Sequence, residues 1–315
     1  MPIDLEHLVA PTKETRFAKL FPAQAEILRI YAADAHELSD MAIELPTGGG
    51  KTLLALLILE YHRKQGKRVA ILTGNKTLAR QIEREAADLK VSIVRFEGSR
   101  DDISAKDLRA YHRGQAIAIM NYWVYINQNP AMEPAEVLVL DDAQLAEGAL
   151  SSLFAARIDR HDHPELFAPA MELFMQYAES TVVEDVVKER TSEPWSPTDL
   201  IPFPAVFAMF DELDALVEAA IEATEGSREY IDLSFRWRRV RAKAKQSLVL
   251  VNSHEIVVRP YIYPTQDFRH LSAPRQRIFM SATVHDPEDL RRRLGTPPIT
   301  KLPIGARHKA QPGPA

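Results

Sequence analysis

The stretch Ala42-Ile43-Glu44-Leu45-Pro46-Thr47-Gly48-Gly49-Gly50-Lys51-Thr52 decides the fold. A short apolar run enters a glycine loop, and residues 52–64 read on as a helix with Leu53, Leu54, Leu57 and Ile58 on one face. A phosphate-binding loop needs this order of strand, loop and helix. Gly48, Gly49 and Gly50 let backbone N–H groups, together with that of Thr47, curl around phosphate oxygens. The helix N-terminus adds a positive dipole end. In such a loop Lys51 meets the β- and γ-phosphates of ATP, and the Thr52 hydroxyl holds Mg²⁺. The general pattern has glycine where this chain has Leu45.

Outward from the loop, short apolar runs alternate with helical patterns. Residues 69–73, 92–96, 116–120 and 137–140 are runs, and residues 78–89 form a helical pattern. Continuous rather than alternating hydrophobicity predicts strands buried on both faces, hence an α/β fold with a parallel sheet between helices. The run Val137-Leu138-Val139-Leu140 ends in Asp141-Asp142-Ala143-Gln144. An acid at the end of a buried strand, beside a phosphate loop, can hold the Mg²⁺ shell, a task that falls to Asp141. Asp142 is then the carboxylate that polarises an attacking water.

From about residue 145 to 245 the chain reads as mostly helical, interrupted by a Pro-containing stretch at 193–204. Strand-like runs return at 247–251, 255–262 and 277–280. The expected division is a nucleotide-binding domain over 1–148 and 247–304, a helical insertion over 149–246, and a frayed Pro/Gly/Ala-rich tail at 305–315.

The 315 residues are 46% hydrophobic and 26% charged, enough for a large core. With 39 Lys+Arg against 44 Asp+Glu, the net charge of −5 excludes histone-like coating of nucleic acid but not a local basic groove. Zero cysteines exclude disulfides, thiolate zinc sites and Cys-ligated iron–sulfur clusters. No apolar run is long enough to span a membrane, and the first residues lack a secretory apolar segment, so a cytoplasmic protein is expected.

Three further features of the sequence bear on binding. Gln24, at a predicted helix start after Phe21-Pro22, carries the paired donor and acceptor that suit an adenine edge, or is simply solvated. Ser281-Ala282-Thr283 places two hydroxyls at a strand end, where they could couple the nucleotide site to a moving neighbour. Residues 235–245 hold six cations and no acid. Arg238, Arg241 and Lys245 share a helical face that fits a nucleic-acid backbone, with Trp237, Val240 and Ala244 on a stripe. The same cations equally suit pairing with the acidic pattern at 209–225 (Asp211, Glu212, Asp214, Glu218, Glu222, Glu225). Trp123 and Tyr125 fit either base stacking or the core.

Gln24, the PTGGGKT loop, the segment 73–81 (TGNKTLARQ), the Asp141–Gln144 box and the SAT tripeptide occur in the order of a superfamily 2 helicase's first motor domain, which this chain resembles. It is most similar to the XPD/DinG branch, whose strand before the box is echoed by IAIMNYWVYIN at 117–127 and whose arch domain occupies the place of the insertion. The resemblance implies a RecA-like P-loop domain that binds ATP and Mg²⁺. It implies hydrolysis coupled to 5′-to-3′ movement on single-stranded DNA, with RNA as the other candidate strand. It assigns catalytic parts to Lys51, Asp141, Asp142 and Gln144, coupling to Ser281 and Thr283, and strand contacts to Thr73, Asn75 and Lys76.

Three departures stand out. The branch's cluster cysteines are missing, Asp142 replaces the usual Glu, and Gln144 replaces His. Nothing after Thr283 reads as an arginine-rich finger motif, so a second RecA-like domain, in cis or in trans, is expected to complete the motor. The alternative function is a nucleotide-dependent nucleic-acid-binding switch that does not unwind.

Overall fold

In the computed structural model, residues 3–13, 15, 19–190, 197–224, 226–284 and 286–303 are described. The expected tail at 305–315, Glu225, part of the Pro-containing stretch and the side chain of Ala244 lie outside them. The first five strands are β1 (Asp40–Glu44), β2 (Val69–Thr73), β3 (Ile93–Phe96), β4 (Ile117–Asn121) and β5 (Val137–Asp141). They are followed by β6 (Ala156–Asp159), β7 (Asp199–Ile201), β8 (Ser247–Val251) and β9 (Glu255–Pro260), then by β10 (Gln276–Ser281) and β11 (Thr300–Lys301).

Seven strands form one parallel sheet in the order β11-β1-β10-β5-β2-β4-β3. β2, β5 and β10 are buried along their whole length, as their unbroken apolar runs require of a sheet covered on both faces. The helix Lys51–Arg63 buries every residue from Leu53 to Leu59, so it is a core helix rather than a one-faced surface helix. The helix Lys76–Asp88 buries only Ala79, Ile82 and Ala86, one face of a helical repeat, and starts on Asn75, whose Oδ1 accepts from Leu78 N–H at 2.9 Å.

Near the start of β10, Arg277 forks onto Asp40 with hydrogen bonds of 2.6 and 2.9 Å and donates a third to the Leu271 carbonyl at 2.6 Å. The pair is almost wholly enclosed, so losing either partner would strand a buried charge, at a cost of about 3–5 kcal/mol.

The expected domain boundary is corrected. Residues up to Leu150 and from Thr265 onward form one unit, and Ser151–Pro264 form the other. β8 and β9 do not return to the parallel sheet. They pair antiparallel with each other and with β7 and β6, in the order β6-β9-β8-β7. The insertion is therefore not only helical. Its core joins that sheet to the helices Pro164–Tyr177, Phe203–Ala223 and Arg228–Arg241 through Phe174, Met209, Leu213 and Trp237.

Candidate nucleotide site

β1 leads straight into the glycine loop. Gly48 and Gly50 adopt φ of 78° and 79°, the left-handed region in which a side chain is strained. Gly50 caps the helix Lys51–Arg63, so the loop's N–H groups and the helix N-terminus meet at one point. A Cβ at Gly50 would sit 2.1 Å from Gln24 Nε2, and one at Gly49 2.9 Å from the Pro46 carbonyl, so both positions require glycine. Gly48 and Thr47 face solvent on the loop's outer turn. Lys51 folds back over the loop, with Nζ 3.4 Å from the Leu45 carbonyl, and Thr52 follows it, half-buried.

Gln24 does not present its amide to an incoming base. It is buried, its Oε1 accepts from Phe21 N–H at 3.0 Å, and its Nε2 donates to the Gly49 carbonyl at 3.0 Å. In this geometry it buttresses the phosphate loop.

β5 ends in Asp141, whose carboxyl is pushed up to about 6 from an ordinary 3.8. Burial is the main cause and the neighbouring Asp142 the next, with Lys51 pulling the other way. Asp142 takes φ 50° and ψ 61°, a left-handed turn that the short Asp side chain tolerates. The strand end is braced from below by Tyr122, buried, whose hydroxyl donates to the Asp141 carbonyl at 2.8 Å.

Gln144, the last residue of the box and within the turn Ala143–Leu145, donates from Nε2 to Ser281 Oγ at 2.5 Å and to the Thr283 carbonyl at 2.9 Å. Ser281 is buried at the end of β10, and its backbone carbonyl accepts from Leu45 N–H at 3.0 Å. The predicted loop, acidic box and SAT tripeptide are thus brought together at the carboxyl ends of β1, β5 and β10. Two further braces, not evident in the sequence, hold this edge. Glu44 accepts from Val284 N–H at 3.0 Å and from Lys301 at 2.5 Å, and Tyr122 holds Asp141. Only an acid and a tyrosine at strand ends hinted at either.

The expected strand contacts fare differently. Thr73 is fully buried and its hydroxyl has no partner, so it cannot touch a nucleic-acid strand as it stands. Asn75 and Lys76 are exposed, Asn75 with its oxygen engaged in the helix cap. In the insertion, Arg241 binds Asp214 at 2.7 Å and Glu218 at 3.3 Å, and Lys245 binds Asp211 at 3.1 Å. The charge-pairing reading of that basic segment therefore replaces the nucleic-acid reading for Arg241 and Lys245. Arg238 is exposed, while Trp237 and Val240 are core. Tyr125 is also core, whereas Trp123 is 46% exposed.

The donor set suits ATP and Mg²⁺. Gly48 leaves open space where a side chain would stand, Lys51 supplies a cation, and Asp141, whose buried carboxyl is raised in pKa despite Lys51, is a carboxylate that a divalent cation would favour in its ionised form.

Residues 21–161 match the family described as DEAD/DEAH box helicase. Among solved structures, the chain is similar to an XPD helicase at 12% identity and a TM-score of 0.51, covering 91% of this chain and 62% of that one. It is similar to Xpd4 of S. tokodaii at 16% identity and a TM-score of 0.51, covering 90% of this chain and 60% of that one. It thus spans about three fifths of the length of either structure. No curated protein sequence matches it significantly. No described helix is long and apolar enough to cross a membrane. Residues 21–161 are accordingly similar to a DEAD/DEAH box helicase domain, and the parallel sheet and its helices are the RecA-like fold that the two solved structures share.

Proposed function

We propose that this chain binds ATP·Mg²⁺ and, completed by a second RecA-like domain, hydrolyses it to move along single-stranded DNA in the cytoplasm. The observation that carries this is the convergence of the glycine loop after β1 and Asp141 at the end of β5 on one edge of the parallel sheet, on either side of β10. Lys51 and the loop N–H groups hold the phosphates, and Thr52 and Asp141 hold the metal. A Mg²⁺ ion held there would neutralise phosphate charge and offset the burial cost of the Asp141 carboxylate. Asp142 orients the attacking water. Gln144 transmits the state of the box to Ser281 and Thr283.

The test is nucleotide binding by the chain with and without Lys51→Ala. The wild-type chain is expected to bind a fluorescent ATP analogue with Mg²⁺, and the variant to lose that binding at least tenfold without a change in melting temperature. Hydrolysis by this chain alone is expected to be slow, because an arginine finger from a second domain is worth about 10³–10⁵ in rate. Equal nucleotide affinity in both proteins rejects the assignment of the loop. Strand-dependent nucleotide binding with no turnover, even after a second motor domain is added, would favour the switch reading.

A further inference from the structure

The short helix Tyr122–Tyr125 follows β4 and carries an exposed aromatic ring on a fixed base. Its start is capped by Asn121 Oδ1, which accepts from Val124 N–H at 2.9 Å. Asn127 closes its end, donating to the Val124 carbonyl at 2.7 Å and accepting from Asn129 N–H at 2.8 Å. The flanking Tyr122 and Tyr125 are fully buried, their hydroxyls donating to the carbonyls of Asp141 and His270. Trp123, between them, stays 46% exposed. A methyl group at Gly148 would lie 3.5 Å from the Trp123 ring, so the indole rests against bare backbone on that side. Beyond it opens a cleft of about 350 Å³, lined by Ser99, Arg100, Trp123, Asn127 and Asn129 among others. Arg100, exposed, is steered by a 2.7 Å hydrogen bond to Asn129 Oδ1.

A rigid indole beside a guanidinium and an amide matches a flat aromatic ligand bearing a nearby phosphate. The cleft follows β3 and β4, so it lies at the same carboxyl edge of the parallel sheet as the phosphate loop and the acidic box. We infer that Trp123 stacks on one unpaired nucleobase of a bound single strand, with Arg100 on the adjacent phosphate. This rests on the nucleic-acid reading above and deepens it. Tyr122 gives the base a physical link to the nucleotide site, because the helix that carries Trp123 leans on the Asp141 backbone.

The test measures anisotropy of two labelled single strands of about twelve units, one oligothymidylate and one abasic, which carry equal charge. Base stacking on an aromatic is worth about 1–3 kcal/mol, or roughly 5- to 150-fold in affinity. Trp123→Leu keeps apolar bulk against Gly148 but has no π-face. It should weaken oligothymidylate binding by at least about fivefold and leave abasic binding unchanged. Trp123→Phe should retain most of the preference for bases. Wild-type affinity of Trp123→Leu for oligothymidylate overturns the inference alone, as does an equal loss on both strands. If the wild-type chain binds neither strand, the nucleic-acid reading falls and the inference with it.

Discussion

Gln144 Nε2 stands 2.5 Å from Ser281 Oγ, so one amide joins the turn after β5 to the end of β10 across 137 residues of sequence. The same amide reaches the Thr283 carbonyl at 2.9 Å. A histidine there would offer one ring nitrogen at that distance, whereas the amide's two hydrogens serve both acceptors.

Gln144→Ala removes two hydrogen bonds, each worth about 0.5–1.5 kcal/mol. It should speed hydrogen exchange at Ser281 through Val284 while leaving the affinity for ATP·Mg²⁺ within about twofold, since Gln144 lies outside the phosphate loop. Exchange mass spectrometry with and without nucleotide reads both.

Asp141 predicts a pH-dependent instability. Its folded-state pKa, about 6, lies above the ordinary value of 3.8, so folding disfavours the charged form. Below pH 4 both states hold the proton and nothing is lost. As pH rises from about 4 to about 6 the unfolded chain ionises first, and stability falls. Asp141→Asn should therefore melt like the wild-type chain near pH 4 and higher than it at pH 7. The difference is roughly 1–3 kcal/mol, each kcal/mol raising the melting temperature by about 2–4 °C. Magnesium nucleotide should stabilise the wild-type chain more than the variant, which keeps the phosphate loop but loses one metal ligand.

Charge reversal at Arg241 and Lys245 tests the helix pair. Both residues are half-exposed and each pair contributes little, but reversal adds repulsion where attraction stood. Arg241→Glu with Lys245→Glu should cost about 1–2 kcal/mol, and Asp211→Lys with Glu218→Lys should restore most of it. Single-strand binding should keep its salt slope, from which a true phosphate contact would remove about 0.7 per residue. Asp214 is left out of the rescue because it also accepts from Trp237 Nε1 at 2.9 Å.

Where a residue type and its neighbours jointly demand one geometry, the sequence was legible. PTGGGKT after an apolar run has few other uses, and the five apolar runs up to 141 all became parallel strands. β8 misled because its alternation is hidden. Leu248 and Leu250 are apolar yet only partly buried, so a strand with one covered face imitates one with two. Gln24 looked free because nothing in one sequence reports that Gly50, 26 positions on, brings the loop against its amide. The basic segment carried two readings because charge composition does not say which opposite charge is nearest.

The place of β10 makes the site late to form. β10 pairs on one side with β1, which feeds the phosphate loop, and on the other with β5, which ends in the acid. Both of those strands are made long before it, and the whole of Ser151–Pro264 intervenes. On a ribosome, a chain that has emerged only as far as Pro264 carries the loop and the acidic box on two strands that do not neighbour each other in the finished sheet. The central slot between them is still empty, with an unpaired edge on each side. Nascent chains stopped before Gln276 should thus be unable to retain nucleotide and should be prone to adhere to other strands. The insertion works as a timer on the parallel sheet, because its own synthesis must finish before the strand that closes that sheet exists.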